Sequence, residues 1–339
     1  MKSKKMSAKS YVRLAGPMRA VFACLALSCL SLMSPQSSEA QQLTAESKLD
    51  KVQAGFYRMK VGAIDVIALS DGTAGFEVVE MLSKPKEAEK LLAKAYLKSP
   101  VDASVNAFLI QLGTRQILVD TGSGELLGPK LNKLPVSLKA AGVTHEQITH
   151  FLLTHIHPDH SGGLTVGGRR VFPNAVVHVE KKELDFWTDK SVGEKLPEPS
   201  KTFFQAVEKT VGPYIASNQI RTFDGATQLF PEIRTIPAYG HTPGQTFYAL
   251  ESTGEKVVFM GDTIHAPDVQ FEAPSITIKF DIDQKLAAIQ RERAFSDAAK
   301  NGYLVAFAHM YFPGVGHVRK DGNHYRWIPV PYTNDATKY

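Results

Sequence analysis

Ten residues, Thr154-His155-Ile156-His157-Pro158-Asp159-His160-Ser161-Gly162-Gly163, place three imidazoles and one carboxylate within six positions. In a tight turn such a run aims several lone pairs at one spot. Further along stand Gly240-His241-Thr242-Pro243-Gly244, then Gly261-Asp262, then His309. Imidazole and carboxylate together suit zinc, manganese, iron or cobalt. Crowding these groups is costly unless a cation joins them. The donors divide into two sites. His155, His157 and His241 serve one cation, Asp159, His160 and His309 a second, and Asp262 bridges them. Each site keeps room for a solvent oxygen, which marks a catalytic rather than a structural site. Two cations about 3.5–4 Å apart lower the pKa of a shared water and yield hydroxide at neutral pH.

These residues need a rigid frame. Alternating and continuous apolar runs predict strands over Tyr57–Leu69, Asn106–Gln111, Gln116–Asp120, Ile148–Leu153, Val176–Val179, Ile233–Ile236, Thr246–Leu250, Lys256–Met260 and Tyr303–Ala308. Ser70-Asp71-Gly72 reads as the turn that ends the first of these. Helices are expected over Leu82–Ser99, Gly128–Ala141 (broken at Pro135), Glu180–Trp187, Thr202–Lys209 and Asp283–Lys300, with a surface loop over Ser191–Ser200. Several strands end in a ligand type of residue: His155, His241, Asp262, His309 and also Asp120. A sheet commonly positions functional loops in this way. Asp120 either orders the ligand loops from behind or caps a turn. The strand-to-loop pattern recurs in each half, suggesting two similar halves in one core.

Residues 1–40 read as a secretory signal peptide. Lys2, Lys4, Lys5, Lys9, Arg13 and Arg19 precede an uncharged apolar run, Ala20–Met33, and Ser38-Glu39-Ala40 supplies small residues for cleavage. The run is short for a membrane span. Both cysteines, Cys24 and Cys29, fall in this segment, so no thiol remains for a disulfide or a metal. Its six Lys/Arg and one Glu account for the formal net charge of +5, leaving 0 on residues 41–339. That balance gives no basic stripe for nucleic acid and no polybasic patch for anionic lipid. The expectation is a periplasmic or secreted single domain over 41–339, free of stable membrane association.

The ordered set His-x-His-x-Asp-His, Gly-His-Thr-Pro-Gly, Gly-Asp and a late histidine resembles the metallo-β-lactamase superfamily. Tyr57-Arg58-Met59, Ala68-Leu69-Ser70-Asp71-Gly72, Phe172-Pro173-Asn174-Ala175-Val176, Asp185-Phe186-Trp187 and His309-Met310-Tyr311-Phe312-Pro313-Gly314 resemble its methyl parathion hydrolase and lactonase branch. The resemblance implies an α/β fold, an αββα sandwich with metals at one edge. It also implies two divalent ions, zinc first, and a homodimer hydrolysing aryl phosphotriesters, lactones or aryl esters.

By position in that pattern, Trp187 and Phe203 or Phe204 match aromatic residues around the leaving group, and Leu127 replaces a further aromatic. Met81, His265, Ile278 and Phe280 replace arginine, leucine, threonine and leucine. Larger groups at 265, 278 and 280 narrow the cavity, favouring a flat lactone or aryl ester over a phosphotriester. The expected mechanism is attack of a bridging hydroxide on the carbonyl, with Asp159 and Asp262 holding the metals. His265 is then a proton donor or substrate contact. The competing readings are a phosphotriesterase and a periplasmic metallo-β-lactamase.

Overall fold

The computed structural model describes residues 53, 55–198 and 200–335. The segment read as a signal peptide lies outside them, as does all of the expected arm over 41–55 except Gln53 and Gly55. The first sheet contains β1 (Phe56–Val61), β2 (Ile64–Phe76), β3 (Val101–Leu112), β4 (Arg115–Val119) and β5 (His150–Leu152). A small separate ribbon, β6 (Thr165–Val166) with β7 (Arg169–Arg170), precedes β8 (Val176–Glu180) and β9 (Ile220–Phe223). The sheet's order is β1-β2-β3-β4-β5-β8-β9, antiparallel up to β4 and parallel beyond it. The second sheet runs in chain order through β10 (Gln228–Phe230), β11 (Ile233–Pro237), β12 (Thr246–Ser252), β13 (Glu255–Phe259), β14 (Leu304–Ala306), β15 (Val315–Asp321) and β16 (His324–Pro329). Only β13 and β14 pair in parallel, and the long helix Gln284–Asn301 lies between them in the chain.

Opposite faces of the same strand enter different cores, which fixes the layering. Val66 and Ala68 of β2 pack with Tyr248, Leu250, Val257 and Phe259 of the other sheet. Their neighbours Ile67 and Leu69 turn the other way, onto Leu134, Leu138, Trp187 and Val207 of the outer helices. In the second sheet Ala249, Val258 and Val305 meet Phe295 and Ala298 of the long helix. Strands buried on both faces read as continuous apolar runs rather than alternating ones. The arrangement is the expected αββα sandwich.

Five segments depart from the sequence expectation. Tyr57–Leu69 is a hairpin and not one strand, because Gly62 and Ala63 turn the chain between β1 and β2. Ser70-Asp71-Gly72 does not end β2 but makes a bulge in it, after which pairing with β3 continues to Phe76. Pro135 does not break a helix; it opens Leu134–Ala140, where a missing amide proton costs nothing. The expected helix Leu82–Ser99 is likewise entered by a proline, as Pro85–Lys94. Within the expected loop 191–200 a short helix, Lys190–Gly193, forms.

Candidate metal centre and its cavity

Each candidate ligand follows the carboxyl end of a strand. His155, His157, Asp159 and His160 come after β5, His241 after β11, Asp262 after β13 and His309 after β14. The structure brings them into two groups, each with its ligand atoms within 4.8 Å of one another. One group is His155, His157, His241 and Asp262, and the other is Asp159, His160, Asp262 and His309. Asp262 belongs to both, as the sequence partition required. Its Oδ1 lies 3.0 Å from His160 Nε2 and 3.1 Å from His309 Nε2, and its Oδ2 lies 3.3 Å from His241 Nε2. Asp159 Oδ2 stands 3.2 Å from His309 Nε2.

These donors suit a divalent cation. His155 Nε2, His160 Nε2 and Asp262 Oδ1 are buried and have no hydrogen-bond partner among the described residues. Native interiors rarely leave such atoms unpaired. His157 Nδ1 and His241 Nε2 face each other at 3.1 Å. The chemistry of the set, imidazole nitrogen and carboxylate oxygen with no thiolate, is that of zinc and its neighbours.

Charge is distributed unevenly across the cluster. Burial disfavours a carboxylate at Asp262, yet His160, His309 and His265 outweigh it and hold its pKa well below the usual range. Burial also disfavours a proton on His309, but Asp262 and Asp159 raise its pKa to about 10. Burial, reinforced by neighbouring imidazoles, keeps His155 and His157 well below the ordinary histidine value. A divalent cation takes the place of such protons, so binding it releases them.

The outer nitrogens of His160, His241 and His309 are held from behind. His160 Nδ1 donates to Asp120 Oδ2 at 2.8 Å. The same carboxylate accepts the Thr154 amide and hydroxyl, both at 2.8 Å, at the start of the ligand loop. Asp120 therefore orients a ligand and fixes the loop together. His241 Nδ1 meets Asp281 Oδ1 at 2.8 Å, and His309 Nδ1 donates to the Ser104 carbonyl at 2.8 Å. Asn106 Nδ2 steadies the His309 loop by donating to the carbonyls of Phe307 and Met310. Such partners set tautomer and ring orientation. Asp281 and Asn106 were not apparent in the sequence, since neither stands in a motif.

A cavity of about 430 Å³ opens onto both groups. His157, Asp159, Asp262, His265 and His309 form its floor, and Phe76, Leu127, Leu131, Phe203 and Phe280 line its walls. Phe76 stacks on Phe280 at 5.8 Å, and Phe203 lies 5.7 Å from Phe280 and 4.9 Å from His157. His265 Nε2 sits 3.0 Å from Asp262 Oδ2. A carboxylate only accepts, so this nitrogen carries the proton and Nδ1 is left as an acceptor, buried and unpaired.

Four of the expected pocket residues lie elsewhere. Met81 and Ile278 do not line the cavity but belong to the apolar cluster of Val78, Leu82 and Val269, which packs against its walls Phe76 and Phe280 and where a bridge joins Leu82 to Ile278. Trp187 packs edge-on against His157 from outside the cavity, and its indole N–H donates to Glu183. Trp187 and Phe204 line a second groove of about 420 Å³ instead. The expected strand ends at Leu69, before the Ser70-Asp71-Gly72 turn, and so leaves out Phe76, which the continued strand carries.

The metallo-beta-lactamase superfamily model matches residues 101–328. In three dimensions the chain resembles a hydrolase of the beta-lactamase superfamily named AbOPH, at 35% identity and TM-score 0.80, covering 84% of this chain and 100% of that one. It also resembles AidC, a dizinc quorum-quenching lactonase, at 27% identity and TM-score 0.77, covering 83% and 99%. A curated relative, an atrochrysone carboxyl ACP thioesterase from Passalora fulva, is 30% identical over 162 residues, 47% of this chain and 38% of that protein. The chain thus spans less than half the length of that relative. With the αββα sandwich, the strand-end ligands and the matched model in agreement, this chain belongs to the metallo-beta-lactamase superfamily of hydrolases.

Proposed function

We propose that this protein hydrolyses lactones or aryl esters, using two divalent cations, zinc first, held by the two residue groups around Asp262. The observation that carries this reading is the cavity of about 430 Å³. It joins an aromatic wall to a floor built from both groups, as small-molecule sites do. Phe76, Phe203 and Phe280 offer faces to an aryl or acyl group and keep water out. When bound, such cations supply Lewis acidity and lower the pKa of water. Asp262 and Asp159 hold the centre, while His265 Nδ1 offers an acceptor beside it. Narrowing of the cavity now rests on His265 and Phe280, because Ile278 does not line it. A flat ester fits this wall better than a tetrahedral phosphotriester with two alkoxy arms.

The signal-like segment 1–40 supports export to the periplasm or beyond. The test is a hydrolysis panel on zinc-loaded protein: dihydrocoumarin, an acyl-homoserine lactone, phenyl acetate, an aryl thioester, methyl parathion and nitrocefin. Lactone or ester turnover should exceed the rest by at least tenfold. Faster cleavage of methyl parathion makes the protein a phosphotriesterase. Nitrocefin as the best substrate makes it a β-lactamase.

A further inference from the structure

One buried carboxylate, outside both ligand groups, ties together the loops that carry three histidines of a single group. Glu183, on the helix Lys181–Thr188, is fully buried. Its Oε1 accepts the Ile156 amide at 2.9 Å and the Trp187 indole N–H at 2.7 Å. Its Oε2 accepts the Thr242 hydroxyl at 2.6 Å and the Gly244 amide at 2.9 Å. Ile156 stands between His155 and His157, and Thr242 follows His241. Trp187 in turn packs on the His157 ring at 5.3 Å. The loop seats directly on the helix: a Cβ at Gly244 would fall 2.3 Å from the Glu183 amide nitrogen.

We propose that Glu183 is a positioning residue for the His155–His157–His241 half of the centre and not for the other half. The Asp159–His160–His309 half has its own supports, Asp120 behind His160 and the Ser104 carbonyl behind His309. None of the four donors to Glu183 carries a charge, so these bonds do not neutralise the carboxylate. Burial raises its pKa while the four donors oppose that rise. A buried acid held by four neutral donors fixes geometry, since each donor fills one of its lone-pair directions. An amide in its place has one acceptor oxygen and one donor nitrogen, so two of the four donors lose their partner. The loop carrying His241 and the loop carrying His155 and His157 are then no longer clamped to the same point. The inference rests on the reading that both groups hold cations.

The test is binding of zinc, and of cobalt as a spectroscopic probe, to the full protein, wild type against Glu183→Gln and Thr242→Val. Thr242→Val removes one of the four donors while keeping side-chain shape. Stepwise affinities are measured against a competing chelator. Wild type should bind two cations per chain; one or none would defeat the two-cation reading itself. Given two in wild type, Glu183→Gln should weaken one step about 10–100-fold and leave the other within about threefold. Thr242→Val should weaken the same step by a smaller factor. The cobalt spectrum of the weakened site should change, while that of the retained site should not. Two unchanged steps in a folded variant, or two steps weakened equally, would overturn the inference. If Glu183→Gln does not fold, the selectivity of Thr242→Val decides by the same criterion.

Discussion

At the scale of single residues, the candidate ligands were legible because metal chemistry demands particular side chains at close spacing. Their supports were not. Asp281, Asn106 and Glu183 are isolated polar residues whose partners lie far away in sequence, such as Asp281 for His241 and Glu183 for Ile156. Glu183 did leave a trace: it stands four residues before Trp187 on the buried side of a helix, where an acid is unexpected. Sequence also cannot reveal which way a ring turns. Trp187 has the right chemistry for a pocket wall, yet its N–H bond to Glu183 points it behind His157. His265 is the residue whose substitution speaks most directly to substrate choice. Replacing it with leucine removes the acceptor beside Asp262 and its bond at 3.0 Å. Lactone turnover should fall at least tenfold, on the order expected for losing a positioned polar group, and phosphotriester turnover should hold or rise. Equal ratios in the two proteins, from steady-state kinetics on dihydrocoumarin and methyl parathion, would remove His265 from the substrate argument.

At the scale of elements, strands buried on both faces and the long helix were readable from their apolar runs. The turns were less so. Asp71 signals a turn, but its carboxylate is buried and accepts the Ser123 amide and hydroxyl and the Leu134 amide. A local signal was thus used for a long-range tie. The loop carrying His241 shows how an element's geometry serves the site. Gly240 has φ +140°, and a Cβ there would lie 2.4 Å from the backbone nitrogen of Ala287 in the long helix. The loop is anchored at the same place, where the Asp283 amide donates to the Gly240 carbonyl at 2.9 Å. Gly240→Ala should therefore cost about 2 kcal/mol or more, lower the melting temperature and weaken metal binding through a displaced His241. A melting temperature and metal affinity equal to wild type would show that the loop has freedom this packing denies it.

At the scale of the whole molecule, two seven-stranded sheets bring the ends of β4, β5, β11, β13 and β14 to one place. The order of motifs along the chain made that convergence readable, but the hairpin β15–β16 and the short strands β9 and β10 carry no motif and went unseen. Away from the site, half-buried His178 packs against the rings of His150 and Phe230. Burial first, then His150 and Arg221, lowers its pKa to about 4. Its folded pKa lies below the unfolded value of about 6.5, so between these values the unfolded chain binds the proton and the folded chain does not. This group's contribution is intact above about pH 6.5 and is lost as pH falls toward 4, by at most about 3 kcal/mol. Urea denaturation at pH 7 and pH 5 should show a smaller acid loss in His178→Phe than in wild type. An identical loss would place the acid sensitivity elsewhere.

The central claim is that residues from four strand ends form one two-cation hydrolytic centre. Its most direct test is a zinc titration of chelator-stripped protein, following bound metal and dihydrocoumarin hydrolysis together. The account predicts that activity is absent after stripping, rises with zinc and reaches its full value at two equivalents per chain. It also predicts that Asp262→Ala, which removes the residue shared by both groups, abolishes that rise. Full activity in the stripped protein, or a maximum at one equivalent with no further binding, would contradict it.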